Sequence, residues 1–163
     1  MQLAQPAQAL HQEGRNVHVA MAGAGPLETQ LARTDAPNLH LIGKLSKPDL
    51  TALYRQANLY CLPSRSEGFA TTLLESAVCG TPATVANVGG TEELIPPDKL
   101  FGVIIANMET ETIASALRIA NSNRQVLQAQ GLAAAKRVRN ICSGQQTAKR
   151  TLGACVRANM NTS

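Results

Sequence analysis

With 163 residues, 44% hydrophobic and 16% charged, the chain has the size and composition of one ordinary globular domain. A mean hydropathy of -0.07, with no apolar run near the roughly 18 residues of a spanning helix, excludes the membrane-spanning, disordered and collagen-like classes. The net charge of +4 hides an asymmetry: residues 1–111 carry 7 Lys and Arg against 11 Asp and Glu, and everything after Glu111 is basic, from Arg118 to Arg157, without one acid.

In chain order, hydrophobic periodicity alternates helix and strand, the signature of a parallel sheet flanked by helices. A helix is expected over 2–13 and a strand over 17–22, closed by Gly23-Ala24-Gly25-Pro26, with Pro26 suited to the first turn of the next helix. A short strand over 39–42 ends at Gly43. Ser46 caps a helix running through Asp49, Leu50, Leu53 and Tyr54, in which Pro48 is tolerated because it falls in the first turn. Strands over 59–62, 83–86 and 103–105 and a helix over 71–78, stopped by Gly80, complete the alternation. From Thr110 the pattern is helical, with Ile113, Ala116, Leu117 and Ala120 at helix spacing.

Several functional classes are disfavoured at once. Cys61, Cys79, Cys142 and Cys155 show no CxxC spacing, so they read as reduced structural thiols and make neither a disulfide framework nor a metal site. With no Trp, two Tyr and two Phe, the chain cannot build base-stacking platforms, which argues against nucleic acid despite a pI of about 9.1. The N-terminus has no signal-peptide pattern, giving a cytoplasmic expectation. The basic C-terminal part reads as solvated helix faces or as a patch for an anionic membrane surface, which would make the chain peripheral there.

The chemistry concentrates in Pro63-Ser64-Arg65-Ser66-Glu67-Gly68-Phe69-Ala70-Thr71-Thr72-Leu73-Leu74-Glu75. This stretch follows a strand and opens a helix, so the amides near its start point outward at the positive end of the helix dipole and suit a phosphate. Gly68 permits a tight turn and close ligand approach, and Thr71 and Thr72 add hydroxyls. Glu67 and Glu75 bracket that anion site, and each carboxylate can accept two hydrogen bonds from a vicinal diol. A diphosphate with a hydroxyl-bearing ring at each end, such as a nucleotide sugar, satisfies the whole arrangement. The site lies at the carboxyl end of a parallel strand.

The same residues resemble the retaining GT-B glycosyltransferases of the glycosyl transferases group 1 (GT4-like) type. Pro63-Ser64 and Glu67 with Glu75 match the Pro-Ser and Glu-x7-Glu motif of their donor domain. Gly68-Phe69, Cys79-Gly80-Thr81-Pro82, Gly89-Gly90-Thr91-Glu92-Glu93, Gly23-Ala24-Gly25-Pro26 and Leu41-Ile42-Gly43-Lys44-Leu45 follow in family order. The resemblance covers roughly residues 5–125 and implies a Rossmann-like α/β fold, the C-terminal half of a GT-B protein, moving a sugar from a UDP- or GDP-sugar to a sugar or lipid-linked acceptor, as in polysaccharide biosynthesis. It also implies that Glu67 contacts the transferred sugar and Glu75 the ribose, as the catalytic pair. The backbone of Gly68, Phe69, Ala70, Thr71, Thr72 and Leu73 would hold the diphosphate. Gly43, Lys44 and Leu45 would lie against the base, Gly89 and Gly90 would line the pocket, and no metal or other cofactor would be needed.

On this reading residues 1–158 form one nucleotide-sugar-binding domain whose basic helical part is 110–158, and 159–163 is a frayed tail. The family's donor domain opens with one more strand and a turn bearing a diphosphate-clamping Arg and Lys. Neither residue has a match here, nor does the N-terminal acceptor-binding domain, an expected separate partner. His11, His18 and His40 read as ordinary helix or strand residues. Without that central strand the sheet either closes up or offers edges for another chain, including self-association. Two further readings stand beside this one. A non-catalytic remnant or interaction module would dock through the basic helices, and a dinucleotide-binding oxidoreductase would rest on Gly23-x-Gly25. The latter lacks the third glycine, Glu28 standing there, and has no acid closing the next strand at 40–43.

Overall fold

Strands rich in Val, Leu, Ile and Ala pair in parallel, and helices alternate with most of them, returning the chain to the same end of the sheet. The computed structural model describes residues 2–65, 71–88, 91, 95 and 102–141. The elements are α1 (Ala4–Gln12), β1 (Val19–Ala22), α2 (Glu28–Ala32), β2 (Leu39–Gly43), α3 (Lys47–Gln56), β3 (Tyr60–Leu62), α4 (Thr71–Val78), β4 (Ala83–Ala86) and β5 (Gly102–Ile105). Two helices close the described chain, α5 (Thr110–Ser122) and α6 (Arg124–Ile141). The α/β alternation is the one expected, and the helical stretch after Thr110 is broken at Asn123, whose φ of -133° and ψ of 59° leave the helical region.

The strands do not form one sheet. Among the described residues β1 pairs only with β2, and β3, β4 and β5 form a separate parallel sheet in that order. Among the described residues β1 and β3 do not pair with one another, so the two sheets have not closed up into one.

Two apolar layers sandwich the three-stranded sheet. Ala83 and Val85 of β4 face Leu73 of α4, with Tyr60, Leu62 and Ile104 packed beside them. Ala86 and Ile105 turn the other way, onto Leu10 of α1 and Ile113 and Leu117 of α5, with Leu59 and Cys61 alongside. Successive strand residues thus serve opposite faces, and all four residues of β4 are buried, as a central parallel strand requires. Burial pushes the Cys61 thiol up to about 12, in keeping with a structural cysteine.

Local chemistry sets the boundaries. Strand β1 starts at Val19, later than expected, because Val17 is still in the turn that closes α1, its amide bonded to Arg15. Pro26 precedes α2 and does not open it: the Glu28 amide bonds the Gly25 carbonyl at 3.1 Å, so Pro26 stands second in a four-residue turn. Ser46 caps α3 as expected, accepting from the Asp49 amide and donating to Asp49 Oδ2 at 2.5 Å. Helix α6 crosses the α4–β4 turn so closely that a Cβ at Gly131 would lie 2.9 Å from the Gly80 carbonyl carbon and 3.1 Å from Pro82 Cδ.

Two polar features hold α1 in place. Asn38, buried before β2, donates through Nδ2 to the carbonyls of Ala7 (2.9 Å) and Val17 (2.8 Å). Arg118 of α5 bridges Glu13 and Glu111, each at 2.6 Å, and holds both carboxyls below the usual range. Part of the C-terminal basic charge is therefore committed to packing α5 against α1. Residues 142–158 of the expected basic part, and the tail 159–163, lie outside the described residues. Among the described residues no helix is long and apolar enough to cross a membrane.

Candidate functional site

The carboxyl ends of both sheets open on one cleft. Gly23 follows β1, Lys44 and Leu45 follow β2, Ser64 and Arg65 follow β3, and Thr71 and Thr72 begin α4; all of these line a single cavity of about 1270 Å³. Of the site residues expected from the sequence, the structure thus brings Lys44, Leu45, Thr71 and Thr72 together.

Thr71, Thr72 and Leu73 are the first three residues of α4, whose amides have no acceptor within the helix. Leu73 contributes only backbone there, because its side chain is buried in the core at 3% exposure. Tyr60 fixes this first turn, its hydroxyl donating to Thr72 Oγ1 at 2.7 Å from the adjoining strand. Behind it the Tyr54 ring meets Tyr60 edge-on at 5.7 Å, and burial raises the Tyr54 phenol to about 12, so it stays protonated. The helix start is therefore seated on a packed aromatic pair.

Glu75 lies one turn along α4 and pairs with Lys47 Nζ at 2.9 Å. Lys47 is the first residue of α3, and its side chain is 86% exposed against 33% for Glu75, so the ammonium reaches over the carboxylate from the solvent side. Gly43 ends β2 with φ of 74°, a left-handed conformation that glycine adopts without strain, and its carbonyl accepts from the Gly23 amide at 2.7 Å. That bond carries the turn over β1 and directs Lys44 and Leu45 into the cleft. Glu67, Gly68, Phe69, Ala70, Gly89 and Gly90 lie outside the described residues. Thr91 is fully buried; its hydroxyl donates to the Ala86 carbonyl and accepts from the Val88 amide, both at 3.2 Å, which ties Thr91 to the end of β4.

Two features were not legible as site elements. Arg65 sits in the cleft wall and, with Lys44 and Arg124, supplies it with cations; with its amide turned to match its neighbours, Gln2 accepts from Arg65 Nε at 3.2 Å and donates to the Pro63 carbonyl. The motif contained Arg65, but nothing in its spacing set its direction. His18 and His40, read as unrelated strand residues, stack at 5.3 Å between ring centroids with Nδ1 and Nε2 3.0 Å apart. They are solvent-exposed on the β1–β2 pair. Among the described residues no group of three or more His, Cys, Asp or Glu is placed to hold a metal ion.

Comparison with known proteins agrees with this architecture. The family described as "Glycosyl transferases group 1" matches residues 2–137. D-inositol 3-phosphate glycosyltransferase of Mycobacterium avium (strain 104) is 35% identical over 112 residues, covering 62% of this chain and 26% of the relative. Among solved structures, sucrose-phosphate synthase from Thermosynechococcus elongatus superposes with a TM-score of 0.78 at 19% identity over 98% of this chain and 43% of that one. Anabaena HepE in complex with UDP-glucose gives 0.74 at 20% identity over 92% and 44%. The chain thus spans about a quarter of the length of the first curated relative.

Proposed function

Since the chain belongs to the glycosyl transferases group 1 family and has its GT-B type α/β fold, we propose that its cleft binds the nucleoside diphosphate sugar donor for a retaining glycosyl transfer. The observation that carries this reading is the convergence of the α4 amino terminus, with Thr71 and Thr72, on the same cavity as Lys44 and Arg65. Oriented amides and two cations form a receptor for a diphosphate. The structure of HepE with UDP-glucose supports a sugar nucleotide as the ligand class.

In this reading the diphosphate rests on the amides of Thr71 to Leu73, with Gly68, Phe69 and Ala70 continuing the cradle. Lys44 and Arg65 offset its charge as the leaving group departs, a task otherwise given to a divalent ion. Glu75 accepts the ribose hydroxyls, Gly43 to Leu45 lie against the base, Gly89 and Gly90 line the sugar side and Glu67 faces the transferred sugar. The acceptor is held by a separate domain, and the sugar keeps its anomeric configuration. UDP, GDP, UDP-glucose and GDP-mannose are titrated calorimetrically into the folded chain with and without EDTA, and into Glu75→Ala. One nucleotide should bind irrespective of EDTA and be lost in the variant. A folded chain that binds none of the four refutes the proposal.

A further inference from the structure

Two of the chain's three histidines stand on one face of the β1–β2 pair. Val19 lies opposite Leu39 and Ala20 opposite His40, so His18, one residue ahead of β1, is the diagonal neighbour of His40. Theirs is the solvent face: His18, Ala20, Ala22, His40 and Ile42 are exposed, whereas Val19, Met21, Leu39 and Leu41 are half-buried. The rings tilt by 19° with centroids 5.3 Å apart, while His18 Nδ1 and His40 Nε2 are 3.0 Å apart. The centroid distance exceeds the nitrogen distance by about one ring width, so the stack is slipped until nitrogen faces nitrogen. One ring donates there and the other accepts. Among the described residues neither ring has a further hydrogen-bond partner, so none of these residues fixes which ring is the donor.

This separation is also that of two ligands on one metal ion. Zinc–imidazole bonds of about 2.0–2.1 Å, at angles of about 90–110°, hold two nitrogens about 2.8–3.4 Å apart. To converge on an ion the lone pairs must swing off the line joining the nitrogens, and exposed side chains do so about χ1 and χ2 without disturbing the core. Each imidazole then keeps one hydrogen. The donating ring gives its inner hydrogen to water and takes one at its outer nitrogen, so the pair ends as His18 Nε2–H and His40 Nδ1–H, both neutral. Imidazole suits zinc, copper and nickel, whereas magnesium and calcium require oxygen ligands. Among the described residues no third His, Cys, Asp or Glu joins the pair, so water fills the remaining positions. The pair also stands apart from the cleft mouth, since His18 precedes β1 and Gly23 follows it.

We propose that His18 and His40 form a two-imidazole site for a divalent late first-row transition ion, bound through His18 Nδ1 and His40 Nε2 and completed by water. The ion replaces the hydrogen between the rings and ties β1 to β2 on their exposed face. This inference does not depend on what the cleft binds.

The test titrates zinc chloride calorimetrically into the full chain, free of any affinity tag and in a buffer that does not bind metal. His18→Gln, His40→Gln, the double variant and His11→Gln are run beside it. Each of the first two should weaken zinc at least tenfold, the double variant should lose no more than either, and His11→Gln should bind as the wild type does. Magnesium chloride should give no competing signal. Long-range proton–nitrogen spectra of the wild type supply a readout that needs no variant: zinc should shift His18 Nδ1 and His40 Nε2 and leave the hydrogens on His18 Nε2 and His40 Nδ1. Four results overturn the proposal. Zinc fails to bind; it binds equally well to the double variant, which places it on other groups such as the thiols; His11→Gln costs as much as the others, which marks adventitious binding to surface imidazole; or the spectra show ligation through the outer nitrogens.

Discussion

The Lys47–Glu75 pair gives a signed test of the proposed contact between Glu75 and a ribose. Glu75 Oε1 is taken by the Lys47 ammonium at 2.9 Å, so a diol arriving at this carboxylate must share it or displace the lysine. With Lys47 86% and Glu75 33% exposed, the pair contributes only about 0.2–1 kcal/mol after solvent screening. Replacing Lys47 by Met removes the competitor and should tighten UDP by no more than about fivefold. Glu75→Gln weakens a charge-assisted contact of about 1.5–3 kcal/mol, a loss of about 10- to 150-fold. In the double variant Lys47→Met should have no further effect, since there is no carboxylate left to release. Calorimetric Kd values for UDP in the four proteins at low and 0.5 M salt complete the cycle. A tenfold or greater loss in Lys47→Met alone would refute the reasoning and show that this lysine binds the phosphates directly.

Three other outcomes follow from the packing. Asn38→Ala removes two buried donor contacts, to Ala7 and Val17, and should cost about 2–3 kcal/mol in urea unfolding; Asn38→Asp, which turns an acceptor toward both carbonyls, should cost more at pH 7, and a neutral Asp variant would contradict the assignment. Gly131→Ala places a methyl against the Gly80 carbonyl and should destabilise by about 1–3 kcal/mol although alanine favours helices; a rise in Tm would show that α6 can move aside. Because Arg118 lowers the Glu13 and Glu111 carboxyls in the folded state, that stabilisation is present above the unfolded carboxylate pKa of about 4.3 and is lost as pH falls through the lower folded values. Unfolding of wild type and Arg118→Met should therefore differ at pH 7 and converge near pH 3; an undiminished difference at low pH would assign Arg118 a packing role alone.

Local rules made the elements readable. Ser46 with Pro48 announced the start of α3, Gly80 the end of α4, and the apolar run of β4 its burial on both faces. The break at Asn123 and the late start of β1 were not readable, since both depend on how a neighbouring turn is bonded. Lys44, Leu45, Thr71 and Thr72, named from the sequence, line one cleft in the structure, because strand ends and helix starts are local features. Arg65, the Lys47–Glu75 pair and the His18–His40 stack join residues far apart in the chain or depend on side-chain direction, so periodicity carried no signal for them. The roles of Glu67, Gly68, Phe69, Ala70, Gly89 and Gly90 rest on their motifs alone, as they lie outside the described residues.

The division of the sheet also bears on how the molecule opens. Residues 22–30 are all exposed, and among residues 19–43 only Leu31, Ala36 and Asn38 are buried, so this segment has little apolar anchorage of its own. Its weak anchorage predicts that it detaches while the β3–β5 sheet stays folded, a sub-global opening that native-state exchange or limited proteolysis would register. Gly43, Lys44 and Leu45 travel with the detaching unit or lie at its border, whereas Thr71, Thr72 and Glu75 remain behind. A ligand that touches both groups binds only the closed form and makes their separate transitions cooperative, merging two calorimetric unfolding steps into one.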